Sequence, residues 1–401
     1  MMQITDLKKE QQITPLFRLG FRPFFLAGAL FSVIAIFLWI MLYRGALDIQ
    51  PLGGGYWWHI HEMIFGFGCA IIAGFLLTAV QNWTGLPGVK GKLLAALFLL
   101  WLLGRVSLLL PNIFGPALST VIDLAFLPCV AFILAKPILA IKQYRNLFFV
   151  PLLTIFTLAN AEMHASIYYP ASISTQYAGY AGVMLITLLI SVMVGRVVPM
   201  FTANGTKTTK TTPLPWLDKL TNGSLALLTI LLLLHPIIGV NNFYIGIILI
   251  FAGIFQAIRW LRWRPWITLG VPLLWSLHFS IKALAFGLTL LGFSYLIPEI
   301  PSNHIWHLIT IGGIGGVILA MISRVSLGHT GRTLQPPMLM SLAFAAMVLA
   351  SLIRSFGPWG LPEKTMMFID ISGLLWLISF GLFVIFYGPM LLKSRADGRP
   401  G

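Results

Sequence analysis

Apolar residues run in stretches of membrane length along nearly the whole chain, and polar residues are confined to short segments between them. Twelve such stretches can be marked, at about 24–43, 60–80, 93–110, 117–135, 148–168, 177–199, 222–240, 243–260, 267–291, 304–322, 338–355 and 366–388. Each is close to the roughly 17–25 residues that a helix needs to cross the hydrocarbon layer. Alternating strands of about ten residues, the mark of a transmembrane barrel, do not occur. The pattern predicts an all-α polytopic membrane bundle of about twelve helices. It forms a single transmembrane domain over 1–401, with a short segment 1–22 before the spans and a tail 389–401 after them. No close internal repeat is legible in the letters, although a weak duplication can hide in so apolar a composition.

Composition agrees. The chain is 58% hydrophobic and 9% charged, which removes it from the soluble globular class. The N-terminal segment carries Lys8, Lys9, Arg18 and Arg22 and meets the first span without a small-residue cleavage site, so it reads as a retained start. Cys69 and Cys129 fall inside spans without C-x-x-C spacing. They are expected as buried small hydrophobes, with no structural disulfide or zinc site.

A net charge of +15 would suit nucleic acid only if the basic residues clustered on one face, and they do not. They sort by loop instead. Beside the four N-terminal cations, one side receives Lys90, Lys92, Lys136, Lys142, Arg145, Arg196, Lys207, Lys210, Lys219, Arg259, Arg262, Arg264, Arg324, Arg332, Lys393, Arg395 and Arg399. The other receives Arg44, Arg354 and Lys364, while Arg105 and Lys282 lie within spans. The positive-inside rule then places both termini in the cytoplasm.

With that orientation, histidines gather towards the outer ends of spans: His59 and His61 in "YWWHIHEMIFGFG", His164, His235, and His304 with His307. Asp48, Glu62, Asp123, Glu162, Glu299, Glu363 and Asp370 lean the same way, which suggests an outward polar site. His278 is expected near mid-membrane with Lys282 one turn away on the same helix face. Ionisable residues at such depth mark functional sites by default. Imidazole ligates haem iron, copper and zinc. His304 and His307 have the i, i+3 spacing of a chelating pair, His59 and His61 would converge only on a non-helical turn, and Glu62 could orient a ring. A covalent c-type haem is excluded, because C-x-x-C-H is missing. The glycines of 66–74 and 312–320 admit either a close helix or a flat macrocycle, helix packing being the commoner reason. Tyr56, Trp57, Trp58, Trp260, Trp263 and Trp266 fall where an interfacial aromatic belt belongs.

These residues carry a family likeness. "FRLGFRPFFL" (17–26), "WHIHEMIFGF" (58–67), "GFLLTAVQNWTG" (74–85), "GRVVPMFTANG" (195–205) and "HLITIGGIGGVILAMISRVSLGHTGR" (307–332) resemble the NnrS family, polytopic proteins described as containing haem and copper and linked to tolerance of nitric oxide. The resemblance implies cofactor-binding roles for His59, His61, His164, His278, His307 and His329, with all but His329 as metal ligands. His235 and His304 match nothing in the family pattern. Haem–copper oxidases share the ingredients but not the motifs, since adjacent paired histidines and an H-P-E element are absent.

The resulting expectation is a multi-pass inner-membrane protein with non-covalent haem b, copper being a further candidate, that binds or turns over nitric oxide and protects against nitrosative stress. Its partners would be the bilayer and nitric oxide, and no nucleic acid. Lys282, Glu62 and Glu162 are the candidate catalytic groups, the carboxylates as proton relays and the lysine beside bound ligand. The alternative is a transporter or exporter of a metal or a metal–nitrosyl or metal–thiol species, whose histidines line a path.

Overall fold

The computed structural model describes residues 10–399; Lys8 and Lys9 of the charge pattern lie outside the described residues. All regular elements among them are helical. Twelve helices are long and apolar enough to span a membrane: α1 (Phe21–Tyr43), α2 (Gly54–Thr84), α3 (Lys92–Leu109), α4 (Pro116–Ala140), α5 (Tyr144–Tyr168), α6 (Thr175–Thr206), α7 (Pro215–Leu233), α8 (Asn242–Arg262), α9 (Pro272–Ser294), α10 (Ser302–His329), α11 (Met338–Gly360) and α12 (Pro362–Leu392). The number is that read from the apolar pattern.

The helix ends follow from local chemistry. Pro116, Pro215 and Pro272 open α4, α7 and α9 at the first turn, where a missing N–H costs no hydrogen bond. The Asn241 side chain accepts from the Phe243 N–H at 2.9 Å and caps α8. Gly85 closes α2 in the left-handed region, φ 70°, which a Cβ would oppose.

The chain divides into two compact units. One comprises Met1–Gly179, Val325–Leu334 and Phe383–Gly401, and the other Tyr180–Arg324 and Gln335–Leu382. Within the first, α1 packs on α2, α3 on α4, and α4 on α2 and α5. Large apolar side chains such as Phe132 on α4 remain exposed, as a lipid-facing surface requires. Cys129 belongs to that exposed surface, whereas Cys69 is buried. The expectation of two buried cysteines therefore fails for Cys129, which lies one turn before Phe132 on the same helix.

The two most enclosed spans, α2 and α10, share an unusual backbone. Each turns π-helical immediately after a histidine, over Glu62–Gly68 after His61 and over Leu308–Gly315 after His307. From those histidines equal spacings lead to Gly66 and Gly312, to the left-handed Gly85 and Gly331, and to the first residues of the next spans, Lys92 and Met338. Equal spacing also pairs Arg105 with Ser351. A Cβ added at Gly66 would meet Arg105, and one added at Gly312 would meet Ser351. The two segments thus correspond position by position, although they lie eight spans apart and so do not divide the chain into two equal halves. The glycines are occupied by neighbouring helices, Gly74 by Phe24 and Phe25, Gly313 by Leu284, Gly315 by Trp376 and Gly316 by Ser280. Close helix approach, and not a flat cofactor, explains them.

Candidate metal centre

In the first unit, α2 to α5 bring a polar cluster together within two turns of the ends of the spans away from the basic loops. His61 comes from α2, Arg105 from α3, Asp123 from α4, and Asn160 with His164 from α5. The last two are four residues apart and so share a helix face. All are buried, as is Glu62.

Asp123 is the hub. Its Oδ2 lies 3.1 Å from His61 Nε2 and 3.0 Å from His164 Nε2, and it accepts from Asn160 Nδ2 at 2.7 Å. Its Oδ1 accepts from Arg105 Nη2. Arg105 Nη1 donates to Glu62 Oε2 at 2.7 Å, and the other oxygen of Glu62 faces His61 Nδ1 at 3.1 Å. Asn160 Oδ1 completes the His61 contacts, 2.8 Å from Nε2. Both nitrogens of His61 thus face acceptors. Thr120 Oγ1 stands 3.2 Å from His164 Nδ1.

Aromatic residues enclose the imidazoles. Trp57, one turn before His61, stacks on its ring at 4.6 Å and 12° and meets His164 edge-on at 5.2 Å. Its indole N–H donates to the Met163 carbonyl at 2.8 Å. Trp57 is buried, so this member of the expected interfacial belt is instead a wall of the site, while Tyr56 remains exposed. The π-helical turn serves the same cluster. It puts Gly66 against the ion pair, where an added Cβ would lie 2.5 Å from Glu62 Oε2 and 2.6 Å from Arg105 Nη1. Trp101 Nε1 donates to the Gly66 carbonyl at 2.9 Å. Gly66→Ala is therefore expected to lower stability by about 1–3 kcal/mol, the usual cost of overpacking, read as a fall in apparent melting temperature of the detergent-purified protein.

The fit to a metal can be judged from the donor atoms. One atom each of His61, Asp123 and His164 lies within 4.8 Å of the others. The 3.0 and 3.1 Å separations are close to the roughly 3.3 Å between two ligands of a tetrahedral ion bound at about 2.0–2.1 Å. A shift of a few tenths of an ångström would admit an ion, which would displace any proton on the ring nitrogens that face Asp123, as metal binding ordinarily does. Two imidazoles and a carboxylate suit zinc, copper or iron.

The same residues do not fit a haem. The His61 and His164 rings meet edge to face at 5.1 Å, and both Nε2 atoms point at one carboxylate oxygen, so a macrocycle has no place between them.

The remaining candidates lie elsewhere. His59 faces away from the cluster and stacks on Trp39 at 4.5 Å, because Gly54–His61 is helical and consecutive odd positions diverge. Glu162 lies two residues from Asn160 and from His164, on the far side of α5. In the second unit His278 Nε2 contacts Thr202 Oγ1 at 2.9 Å. It lies six residues into α9 and five before the midpoint of that helix. Lys282 Nζ lies over the Trp260 and Phe286 rings, 5.9 and 5.6 Å from their centres, and not in the His278–Thr202 contact. His304 Nδ1 meets Arg354 Nη1 at 3.0 Å and His307 Nδ1 meets the Asn303 carbonyl at 3.1 Å. His329 packs on Phe21 at 5.4 Å, and its carbonyl accepts from Arg395 at 2.8 Å. Arg395 also holds Asp397, outside the spans, well below the usual carboxylate range through paired hydrogen bonds. His235, also outside them, is lowered by partial burial.

A multi-pass helical membrane protein with a histidine–carboxylate centre is the class that these features define. The family profile described as NnrS protein matches residues 15–395, and the chain belongs to the NnrS family. No curated protein matches it.

Proposed function

We propose that this protein holds one transition-metal ion at His61, Asp123 and His164 in the inner membrane, and that through this ion it engages nitric oxide and protects against nitrosative stress. The carrying observation is the buried three-ligand arrangement on helices α2, α4 and α5, with Glu62, Arg105, Asn160 and Thr120 orienting the ligands. Such supporting hydrogen bonds fix ring orientation at metal centres. Copper is the ion favoured by the family resemblance together with the imidazole-rich donor set; when bound, it supplies a coordination position for a diatomic ligand. Haem has no place at this centre, because the edge-to-face rings of His61 and His164 form no axial pair. Nitric oxide is small and apolar, and reaches a centre at this depth through lipid.

The test uses the purified, copper-loaded chain. Addition of nitric oxide is expected to change the optical and electron paramagnetic spectra of the wild type, and to leave those of His164→Ala unchanged, while cells carrying His164→Ala lose nitric oxide tolerance. His278→Ala is expected to keep both properties. Identical spectra and tolerance in wild type and His164→Ala would overturn the proposal.

A further inference from the structure

The second unit contains another buried polar group, formed by α6, α7 and α8 at the opposite, basic end of the spans. Arg259 on α8 is 3% exposed. Its Nε lies 2.9 Å from Asp218 Oδ1, whose side chain is 39% exposed. Nη1 donates to Ser191 Oγ at 2.8 Å and to Gln256 Oε1 at 3.0 Å, and Nη2 donates to the Ser191 carbonyl at 3.1 Å. Ser191 Oγ donates to Asn222 Oδ1 at 2.7 Å. Gly195, one turn along α6 from Ser191, has no side chain where the guanidinium lies.

Two groups here are left over. Gln256 Nε2 and, one turn beyond Ser191, Thr187 Oγ1 have no partner among the described residues, and both side chains are fully buried. In hydrocarbon an unsatisfied polar group costs several kcal/mol, so each needs a partner, and water supplies one where polar groups converge. Asn222 lies about 10 Å along α7 from Pro215, and Thr187 about 6 Å deeper, at 1.5 Å per residue. The polar track therefore reaches about halfway through a hydrocarbon layer of roughly 30 Å.

We infer that Asp218, Arg259, Ser191, Asn222, Gln256 and Thr187 line a hydrated shaft that admits water, and with it protons, from the basic end of the spans to the middle of the membrane. Asp218 is its mouth and its neutralising charge, Arg259 its inner wall, and Thr187 its end. The ligand class is water, and the shaft is independent of the centre at His61.

Cysteine accessibility tests this. With Cys69→Ala and Cys129→Ser as background, Thr187→Cys, Ser191→Cys and Leu228→Cys are exposed to a small methanethiosulfonate reagent on each side of sealed vesicles. Leu228 is fully buried on the apolar part of α7. Because the reaction requires a thiolate, and hence water, Thr187→Cys and Ser191→Cys are expected to react at least about tenfold faster than Leu228→Cys, and from the basic side only. Ser191→Cys is near-isosteric and retains the fold if Thr187→Cys does not. Rates equal to that of Leu228→Cys at both positions, or labelling from the other side alone, would overturn the inference.

Discussion

Arg105→Met is expected to be the most damaging single substitution in the first unit, lowering stability by about 3–5 kcal/mol, the range for breaking a buried ion pair by removing one partner. The guanidinium bridges Glu62 and Asp123, with one oxygen of each carboxylate as acceptor. Both acids are buried, so without it two negative charges face each other at membrane depth. The fold itself is expected not to need the charges. The matching π-helical segment in α10 has Leu308 where α2 has Glu62, and Ser351 and Ile369 stand at the spacings of Arg105 and Asp123. The triple variant Glu62→Leu, Arg105→Ser, Asp123→Ile removes the mutually dependent charges together. It is expected to recover most of the apparent melting temperature lost in Arg105→Met while binding no metal. Full collapse of the triple variant would show that the cluster is structural.

Asp123→Asn should separate binding from folding. It keeps the shape of the hub and leaves Arg105 balanced by Glu62, but removes one ligand and the charge that attracts a cation. Metal affinity is expected to fall by more than about 100-fold, beyond the 10–100-fold typical of losing an outer-sphere partner, with a smaller loss of thermal stability than in Arg105→Met. Isothermal titration of the apoprotein checks this, with Glu162→Gln and Lys282→Met as controls expected to bind as wild type does. Affinity retained in Asp123→Asn would remove the carboxylate from the site.

The span number was legible because hydrocarbon thickness imposes length on every helix. His61, Glu62 and His164 were legible as polar residues near span ends, and the reading of Glu62 as an orienting group for a ring matches its contact with His61 Nδ1. Arg105 and Asp123 were visible as ionisable residues near or within spans, a signal of the same kind as His278 and Lys282. What hid their role is that convergence of four helices is a tertiary fact. Asn160, Thr120 and Trp57 carry no sequence signal of their own, since amides, hydroxyls and indoles are ordinary near span ends. The separation of Lys282 from His278 was equally illegible: a shared helix face sets the direction of a side chain, but the rings of Trp260 and Phe286 decide where a long ammonium stem ends.

Metal analysis joined to X-ray absorption on the purified chain and on its His61→Ala and His164→Ala variants tests the centre most directly. One ion per chain is expected in the wild type, with nitrogen and oxygen neighbours that include two imidazoles, and with the ion lost from both variants. Metal content and imidazole scattering unchanged in both variants would contradict a centre built on His61, Asp123 and His164.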